Sequence, residues 1–269
     1  MSGLTFRLSA APDERLDLSK LTPANLAQMP ENDIAKLVVG TSRRGQTVGE
    51  LFKISGHPGD RVVIEGGSSR LDFIGTDLAE GTIIVEGEAG MCAGRSMRGG
   101  KLEIKGDAGP WLASGLSGGL VCVKGSSGGM IGGVRPGDRF GMTGGTVVVE
   151  GDAGDRAGER MRRGTIIVRG RCGANAGARM LGGTIWAEQG FGAAPGVLLR
   201  RGTLIGSSVE AMLPTFNDSG KHDLVILRVL SRYLTATLGP LAPRALTSSV
   251  RKFAGDLATI GKGEILITN

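Results

Sequence analysis

Apolar residues and glycines recur along the middle of the chain with a single spacing. Glycine returns every nineteen residues, as at Gly81, Gly100 and Gly119, and the one irregular step leads from Gly119 to Gly145. The second and fourth positions after each of these glycines are apolar. These pairs are Ile83/Val85, Leu102/Ile104, Val121/Val123, Val147/Val149, Ile166/Val168 and Ile185/Ala187. Alternation with a period of two, mostly in β-branched residues, predicts strands and not helices.

A fixed period of this length predicts a solenoid of stacked units. Each unit is too short for a pair of helices, and the Leu and Asn columns of leucine-rich repeats are missing. The sequence therefore predicts an all-β fold, a parallel β-helix with one coil for each repeat unit. A further column, three residues before each repeating glycine, is expected to point inward. It contains Met97, Leu116, Met142, Met161, Met180 and Leu199.

The turns of the units follow the pattern GxxGxxxG, as in Gly151, Gly154 and Gly158. We expect these glycines to provide a positive φ or a close backbone approach. A phosphate-binding loop is disfavoured because the motif recurs in several units. The fifth position after each repeating glycine is charged, and we expect most neighbouring units to form ion pairs there. This column contains Glu86, Lys105, Lys124, Glu150, Arg169 and Glu188.

The ends of the chain lack the repeat and predict three parts. We expect an N-terminal cap segment over residues 1–44, the β-helix over 45–206, and a C-terminal helical appendage and tail over 207–269. Within these parts we predict a strand at Leu4–Leu8, a helix from Pro23, degenerate first coils at ELFKISG and RVVIEGG within residues 45–80, an amphipathic helix at Leu224–Leu238 and a second short helix from Thr247 to about Ala254. The seven extra residues, about Gly133–Arg139, are expected to project from one face, which makes that face a candidate binding face.

The composition and motifs argue against a catalytic or membrane protein. Glycine provides 48 of 269 residues, yet 40% of the chain is apolar, which indicates a folded protein. There is no long apolar run and no signal peptide, so a cytoplasmic location is expected. The three cysteines, Cys92, Cys122 and Cys172, occupy different positions of the unit and predict buried thiols instead of a metal cluster. The two histidines, His57 and His222, are far apart in sequence.

The third position of each unit is expected to face outward and is largely apolar. This column contains Ile84, Glu103, Cys122, Val148, Ile167 and Trp186. It lacks the clustered carboxylates of β-helix lyases and glycosidases, so it predicts a docking surface instead of an active site.

Arginine is the main candidate binding residue. The net charge is +6, and arginine outnumbers lysine 23 to 9. Stacked guanidinium groups can bind carboxylates or phosphates, although a solvated face or a partner's acidic patch explains the cluster equally well. Nucleic acid is disfavoured because no aromatic residues are interleaved with the basic ones. The candidate carrier-binding or partner-binding residues are Arg135, Arg139, Arg156, Arg160, Arg162, Arg163 and Arg179.

The repeat resembles the C-terminal β-helix of glutamate synthase and the C subunit of formylmethanofuran dehydrogenase. The ends distinguish the two families. MLPTF at Met212–Phe216 and FAGDLATIGKGEIL at Phe253–Leu266 are similar to the end of the formylmethanofuran group. The segment LDLSKLTPANLAQMPENDIAKLVV, from Leu16, is similar to the N-terminal part of that group. The resemblance covers nearly the whole chain.

This resemblance implies a right-handed parallel β-helix that acts as a non-catalytic scaffold subunit beside formyltransferase and amidohydrolase-like subunits. In archaea the complex also contains a molybdenum or tungsten subunit and iron–sulfur proteins. In methylotrophic bacteria the related formyltransferase/hydrolase complex passes a formyl group from tetrahydromethanopterin to a methanofuran-type carrier and hydrolyses it to formate. The carrier has an anionic, glutamate-rich tail. The resemblance implies no catalytic residue, metal or cofactor in this chain itself, and the excess of arginine favours the bacterial complex.

Two other functions remain as alternatives. One is a glutamate synthase-like β-helix subunit that links amidotransferase and flavin modules. The other is a free-standing β-helix enzyme that acts on a sugar or polymer. The C-terminal motif favours the formyltransferase/hydrolase function over the first, and the missing carboxylate face argues against the second.

Overall fold

The protein is described by a computed structural model that covers residues 3–268. It consists mostly of strands. These are β1 (Gly3–Leu8), β2 (Leu16–Asp17), β3 (Phe52–Gly56), β4 (Arg61–Glu65), β5 (Leu71–Asp72), β6 (Thr82–Glu86), β7 (Lys101–Ile104), β8 (Leu120–Val123), β9 (Thr146–Val149), β10 (Thr165–Val168), β11 (Thr184–Ala187), β12 (Phe191–Ala193), β13 (Arg201–Gly206), β14 (Val209–Ala211), β15 (Asn217–Asp223), β16 (Ser249–Gly255) and β17 (Lys262–Thr268). The helices are α1 (Pro23–Ala27), α2 (Glu31–Ile34), α3 (Val48–Leu51) and α4 (Val225–Leu238), and a 3-10 turn follows at Gly239–Leu241.

One large sheet of 13 strands contains most of these elements, in the order β15-β16-β17-β13-β11-β10-β9-β8-β7-β6-β4-β1-β3. In the order of the sheet, all neighbouring strands between β17 and β1 are parallel. The antiparallel pairs lie outside this part: β1·β3 at one end, and β17·β16 and β16·β15 at the other. Each repeat unit contributes one strand. Ile166 of β10 therefore lies opposite Val147 of β9 and Ile185 of β11, each one repeat unit away.

A second line of parallel bridges connects the same units elsewhere. Ala89 pairs with Ala108, Ala108 with Ser127, and the series continues through Ala153 and Cys172 to β12. The steps between these bridges equal the glycine period, except for the longer step across the insert, from Ser127 to Ala153. Each unit is thus joined to the next at two places along its length, with the spacing that the glycine period predicts.

The side chains of the alternating apolar positions form the core, as predicted. Met161, Ile166 and Val168 are fully buried, and so are the other inward residues of the repeat. The two roles predicted for the turn glycines, close backbone approach and positive φ, belong to different glycines. A Cβ on Gly154 would lie 2.6 Å from the backbone nitrogen of Gly129, whereas Gly158 adopts a φ of +71°. Close approach therefore explains the first, and backbone conformation explains the second.

The N-terminal part differs from the predicted series of coils. The predicted strand near Leu4 and the helix from Pro23 are present, and RVVIEGG forms β4 in parallel with β6. ELFKISG was wrongly predicted as a coil, because its strand β3 runs antiparallel to β1 at the edge of the sheet. The reason is that β1 occupies the position next to β4, pairing in parallel with it.

The C-terminal part confirms one predicted helix and corrects another. The amphipathic helix predicted at Leu224–Leu238 is α4. The short helix predicted from Thr247 to about Ala254 is wrong, because this segment forms strand β16. Its pairing with β15 and β17 on both sides outweighs the local helix pattern.

The outward apolar column is not the free docking surface that the sequence predicts. Val148, Ile167 and Trp186 are buried because α4 lies across them. Leu227, Leu234 and Leu238 of that helix belong to the same apolar cluster. The amphipathic helix thus covers an apolar face of the sheet with its own apolar face.

The charged column forms only part of the predicted ladder. Among the described residues, Lys124 and Glu150 form the one ion pair between neighbouring members of this column, at 2.7 Å. Lys105 instead pairs with Glu103 of its own unit. Arg169 donates to the carbonyl oxygen of Pro240 at 2.9 Å, so it attaches the segment that follows α4.

Candidate functional site

Three adjoining depressions form one groove across successive repeat units. The central depression has a volume of about 430 Å³, and its neighbours have volumes of about 450 and 230 Å³. The central depression shares Arg139 and Phe140 with the first neighbour, and Arg179 and Leu198 with the second. We call this feature the arginine groove. The arginines that line it are Arg139, Arg156, Arg160, Arg162, Arg179, Arg200 and Arg201.

The repeat places these arginines in columns. Arg160 and Arg179 are one repeat period apart and occupy the same position in consecutive units. Both have left-handed backbones, with φ of 52° and 53°. The Arg160 amide donates to Ala178 at 3.0 Å, and the Arg179 amide donates to Val197 at 2.8 Å. Because hydrogen-bonded strands lie about 4.8 Å apart, Arg160 and Arg179 offer two cations at a short interval, whereas Arg162 and Arg200 lie two units apart with Leu181 between them.

A buried carboxylate lies below two of the arginines. Glu159 Oε1 accepts from Arg156 Nη2 at 2.6 Å and from Arg179 Nη1 at 3.3 Å. The Glu159 side chain is 4% exposed, whereas those of Arg156 and Arg179 are about half exposed. Glu159 Oε2 has no hydrogen-bond partner among the residues that the structure describes. This carboxylate holds two guanidinium groups at the surface without lining the groove itself.

An aromatic ring holds two further arginines. The guanidinium carbons of Arg139 and Arg162 lie 5.0 and 5.1 Å from the centroid of Phe140, within cation–π range. Phe140 follows the seven-residue insert directly. The insert therefore brings one arginine, and the ring after it, to the groove.

The structure brings together five of the seven arginines selected from the sequence. Arg139, Arg156, Arg160, Arg162 and Arg179 line the groove. The other two lie elsewhere.

Arg163 is exposed but does not line the groove, and Arg135 lies over the ring of Phe73 at 5.6 Å. Sequence reasoning missed Arg200 and Arg201. The signal was present, since Arg200 follows Arg162 by two full periods of the repeat.

The chemistry of the groove is that of an anion-binding surface. The described residues that line it include no Asp, Glu, His, Cys or Lys. Apolar contacts come from Phe140, Leu181, Leu198 and Ile260. The Thr259 hydroxyl donates to the Leu199 carbonyl oxygen at 2.7 Å. Guanidinium groups bind carboxylates in bidentate fashion, and nothing in this set provides a nucleophile with an adjacent general base.

The described histidines, cysteines and carboxylates outside the groove form no metal site, and Cys122 and Cys172 are not activated thiols. Within residues 3–268, no group of His, Cys, Asp or Glu has a geometry that could hold a metal ion. Burial raises the pKa of Cys122 to about 11 and that of Cys172 to about 12. These thiols are therefore protonated at neutral pH and not nucleophilic. No helix in the described part of the chain has the length and apolar content needed to cross a bilayer.

A second exposed surface lies on α4. Its outer side presents four large apolar side chains that are more than half exposed. These are Val225, Ile226, Val229 and Tyr233, which we call the outer stripe. Such a contiguous exposed stripe is typical of a protein interface.

Comparison with known proteins agrees with the repeat and with the ends of the chain. Residues 38–191 match the model of a family named for its GXGXG motif. The C subunit of the formyltransferase/hydrolase complex Fhc of Methylorubrum extorquens is 49% identical over 263 residues, which cover 98% of both chains. The chain belongs to the family of this C subunit.

The fold of the family agrees closely with that of this chain. A crystal structure of the formyltransferase/hydrolase complex FhcABCD from Methylorubrum extorquens, in complex with methylofuran, contains a matching chain. The superposition has a TM-score of 0.93 and covers 98% of this chain and 99% of that chain. Sequence identity over the superposed residues is 42%. This family membership is what the N-terminal and C-terminal motifs predict.

Proposed function

We propose that this chain is a non-catalytic scaffold subunit of a formyltransferase/hydrolase complex in tetrahydromethanopterin-linked one-carbon metabolism. In this role it bridges the formyltransferase and amidohydrolase-like subunits in the cytoplasm. The observation on which the proposal depends is the 49% identity to the C subunit of Fhc over 98% of both chains. The groove supports the non-catalytic role, because its arginines can bind an anion but cannot transfer a proton near neutral pH.

The fold that we assign to this scaffold is a right-handed parallel β-helix within residues 45–206, with its first coil at β4 because β3 is an antiparallel edge strand. Its support is the pairing of consecutive units at two places with the period of the repeat, apart from the longer step across the insert. Residues 1–44 are assigned as the N-terminal cap, and residues 207–269 as the C-terminal helical appendage and tail. A stack of this kind provides a rigid, elongated surface on which partners can be arranged.

The outer stripe is the surface that we assign to assembly. It replaces the outward column of the sheet, which α4 covers. Val229 and Tyr233 are four residues apart and 54% and 62% exposed, so they offer a partner neighbouring apolar side chains. Apolar and aromatic residues of this kind commonly form the centre of an interface.

The scaffold role is tested by purification from a methylotrophic host. The chain with an affinity tag should retain the formyltransferase and amidohydrolase-like subunits, identified by mass spectrometry. The chain purified alone should show neither transferase nor hydrolase activity. A pure, monomeric preparation that hydrolyses the formylated carrier would disprove the non-catalytic role, and recovery of amidotransferase or flavin subunits would favour the glutamate synthase-like alternative.

We assign the arginine groove to the anionic tail of a methanofuran-type carrier. The related complex from Methylorubrum extorquens binds methylofuran. Arginines presented by successive units about 4.8 Å apart suit a chain of carboxylates, and each exposed contact contributes about 0.2–1 kcal/mol. Affinity must therefore come from several contacts together and must decrease as salt increases. The competing assignment is an acidic surface of a partner subunit.

A double variant separates these two assignments. Arg160→Ala with Arg162→Ala removes two cations of the groove without touching the core. If the groove binds the carrier, the complex should assemble normally and KM for the long-tailed carrier should increase. Loss of assembly would support the partner interface. If neither assembly nor KM changes, the groove is only a solvated surface.

A further inference from the structure

The arginine groove depends on two residues that do not themselves provide its positive charge. We infer that Glu159 and Phe140 are positioning residues, which hold four of the groove's arginines in the arrangement that binds a polycarboxylate. This inference rests on the proposal that the groove binds the anionic tail of the carrier. It concerns how affinity arises at that site, through prior ordering of flexible cations.

Glu159 has the geometry of an organising group. Its Oε1 accepts from both Arg156 and Arg179, which come from consecutive repeat units. Arginine side chains are flexible, and fixing each one on binding has an entropic cost. A buried carboxylate that fixes two of these side chains before binding reduces the entropic cost of binding a ligand.

The fold itself does not require a carboxylate at this position. Ala178 and Val197 occupy the equivalent positions in the next two units. The amide of Glu159 donates to Arg156, and the amide of Ala178 donates to Asn175 in the same way. Burying a carboxylate whose Oε2 has no described hydrogen-bond partner is costly, so its retention here points to a role at the surface above it.

Phe140 acts on the other side of the groove. Its ring lies near the guanidinium groups of both Arg139 and Arg162, at 5.0 and 5.1 Å. Two like charges beside one ring repel each other, and the ring offers both a favourable position. Together, Phe140 and Glu159 hold arginines on both sides of the groove, and the central depression also contains Arg160 and Arg200.

The charge of Glu159 makes the inference testable, because the two explanations predict opposite changes in affinity when that charge is removed. A negative charge beside seven arginines opposes the binding of an anion if it acts only through the overall field. Removing it would then tighten binding. If Glu159 positions the arginines, removing it weakens binding despite the more positive groove.

The experiment measures the binding of a fluorescein-labelled oligoglutamate peptide to the purified full-length chain by fluorescence anisotropy. The main variant is Glu159→Gln, and Glu159→Ala, with the residue of the following unit, provides a second one. Phe140→Leu tests the ring. Arg160→Ala tests whether the groove binds the peptide at all. Glu103→Gln is the matched control, because Glu103 also pairs with two cations, Lys101 and Lys105, but lies outside the groove.

We expect Glu159→Gln, Glu159→Ala and Phe140→Leu each to raise Kd about three- to tenfold, the cost of ordering one or two arginine side chains. Thermal unfolding should be unchanged in Phe140→Leu, and Glu103→Gln should bind as the unmodified chain does. Unchanged or tighter binding by Glu159→Gln, with weaker binding by Arg160→Ala, would overturn the inference and leave the carrier site intact. Unchanged binding by Arg160→Ala would remove the carrier site and the inference with it.

Discussion

At the scale of single residues, the fully buried Ile166 shows how each unit depends on its neighbours. Its side chain lies between Val147 and Ile185 in the stack, close to the backbone of Gly132. Ile166→Ala removes most of a buried side chain and leaves a cavity, which should lower the free energy of unfolding by about 2–5 kcal/mol. Urea denaturation measures this change. Thr165→Ala, on the same strand and partly exposed, is the control and should change stability far less.

The two lysine partners of Glu103 predict that the folded protein loses stability in acid. The hydrogen bonds from Lys101 and Lys105 lower the pKa of Glu103 to about 2. A glutamate in the unfolded chain has a pKa of about 4.3, so the stabilising contribution is complete above about pH 5 and is lost as the pH falls towards 2. Urea midpoints measured across this range should decrease less steeply in Glu103→Gln than in the unmodified chain. An equal slope would contradict the prediction, and Glu80→Gln controls for the loss of one surface carboxylate.

The sequence predicted residues well where the period of the repeat determines their environment. The inward positions of the repeat are buried as expected because every unit repeats them. Glu159 and Phe140 could not be found in this way. Phe140 follows an insert that the other units lack, and Glu159 stands at a position that Ala178 and Val197 occupy in the next two units, so neither belongs to a repeated column. Arg200 was missed for a simpler reason, since its unit lies beyond the densest run of arginines in the sequence.

At the scale of elements, the insert at about Gly133–Arg139 extends a unit that is otherwise complete. The other repeat units join one strand to the next without these extra residues, so this unit should also be able to form without the insert. The insert is attached through the Val134 amide, which donates to the Glu159 carbonyl oxygen at 3.1 Å. Its deletion should leave a folded protein with weaker binding of the carrier or of a partner, because Arg139 is lost.

Circular dichroism and thermal unfolding measure the fold of the deletion variant, and co-purification and KM for the carrier measure its binding. Arg139→Ala separates the effect of the charge from that of the loop. Normal assembly and an unchanged KM in the deletion variant would mean that the insert has no part in binding.

The elements that the sequence predicted wrongly share one physical cause. The segments that form β3 and β16 were assigned from local pattern alone, one as a parallel coil and one as a helix. Their conformation is set by distant partners, since β3 pairs with β1 and β16 pairs with both β15 and β17. In contrast, α4 has its own amphipathic pattern and was found within one residue of its start.

At the scale of the whole molecule, the outer stripe of α4 predicts which surface substitutions weaken assembly with partner subunits. Val229→Glu and Tyr233→Glu place a charge on an exposed apolar surface, which should not affect folding because neither side chain belongs to the core. In an interface, each should weaken co-purification with the partner subunits by about tenfold or more. Thr235→Glu, exposed on the same helix outside the outer stripe, is the control. Full assembly of both stripe variants would show that the partners bind elsewhere.

The large sheet ends at β3 on one side and at β15 on the other. A stack of similar units could continue from one molecule into the next, because an open parallel edge offers the pairing groups that another unit would use. Here β3 closes one end and β15 the other, both antiparallel to their neighbours. The β15 edge exposes Asp218, Lys221 and Asp223. Charged side chains on an edge strand disfavour pairing between molecules, so the sheet is expected to end within one chain.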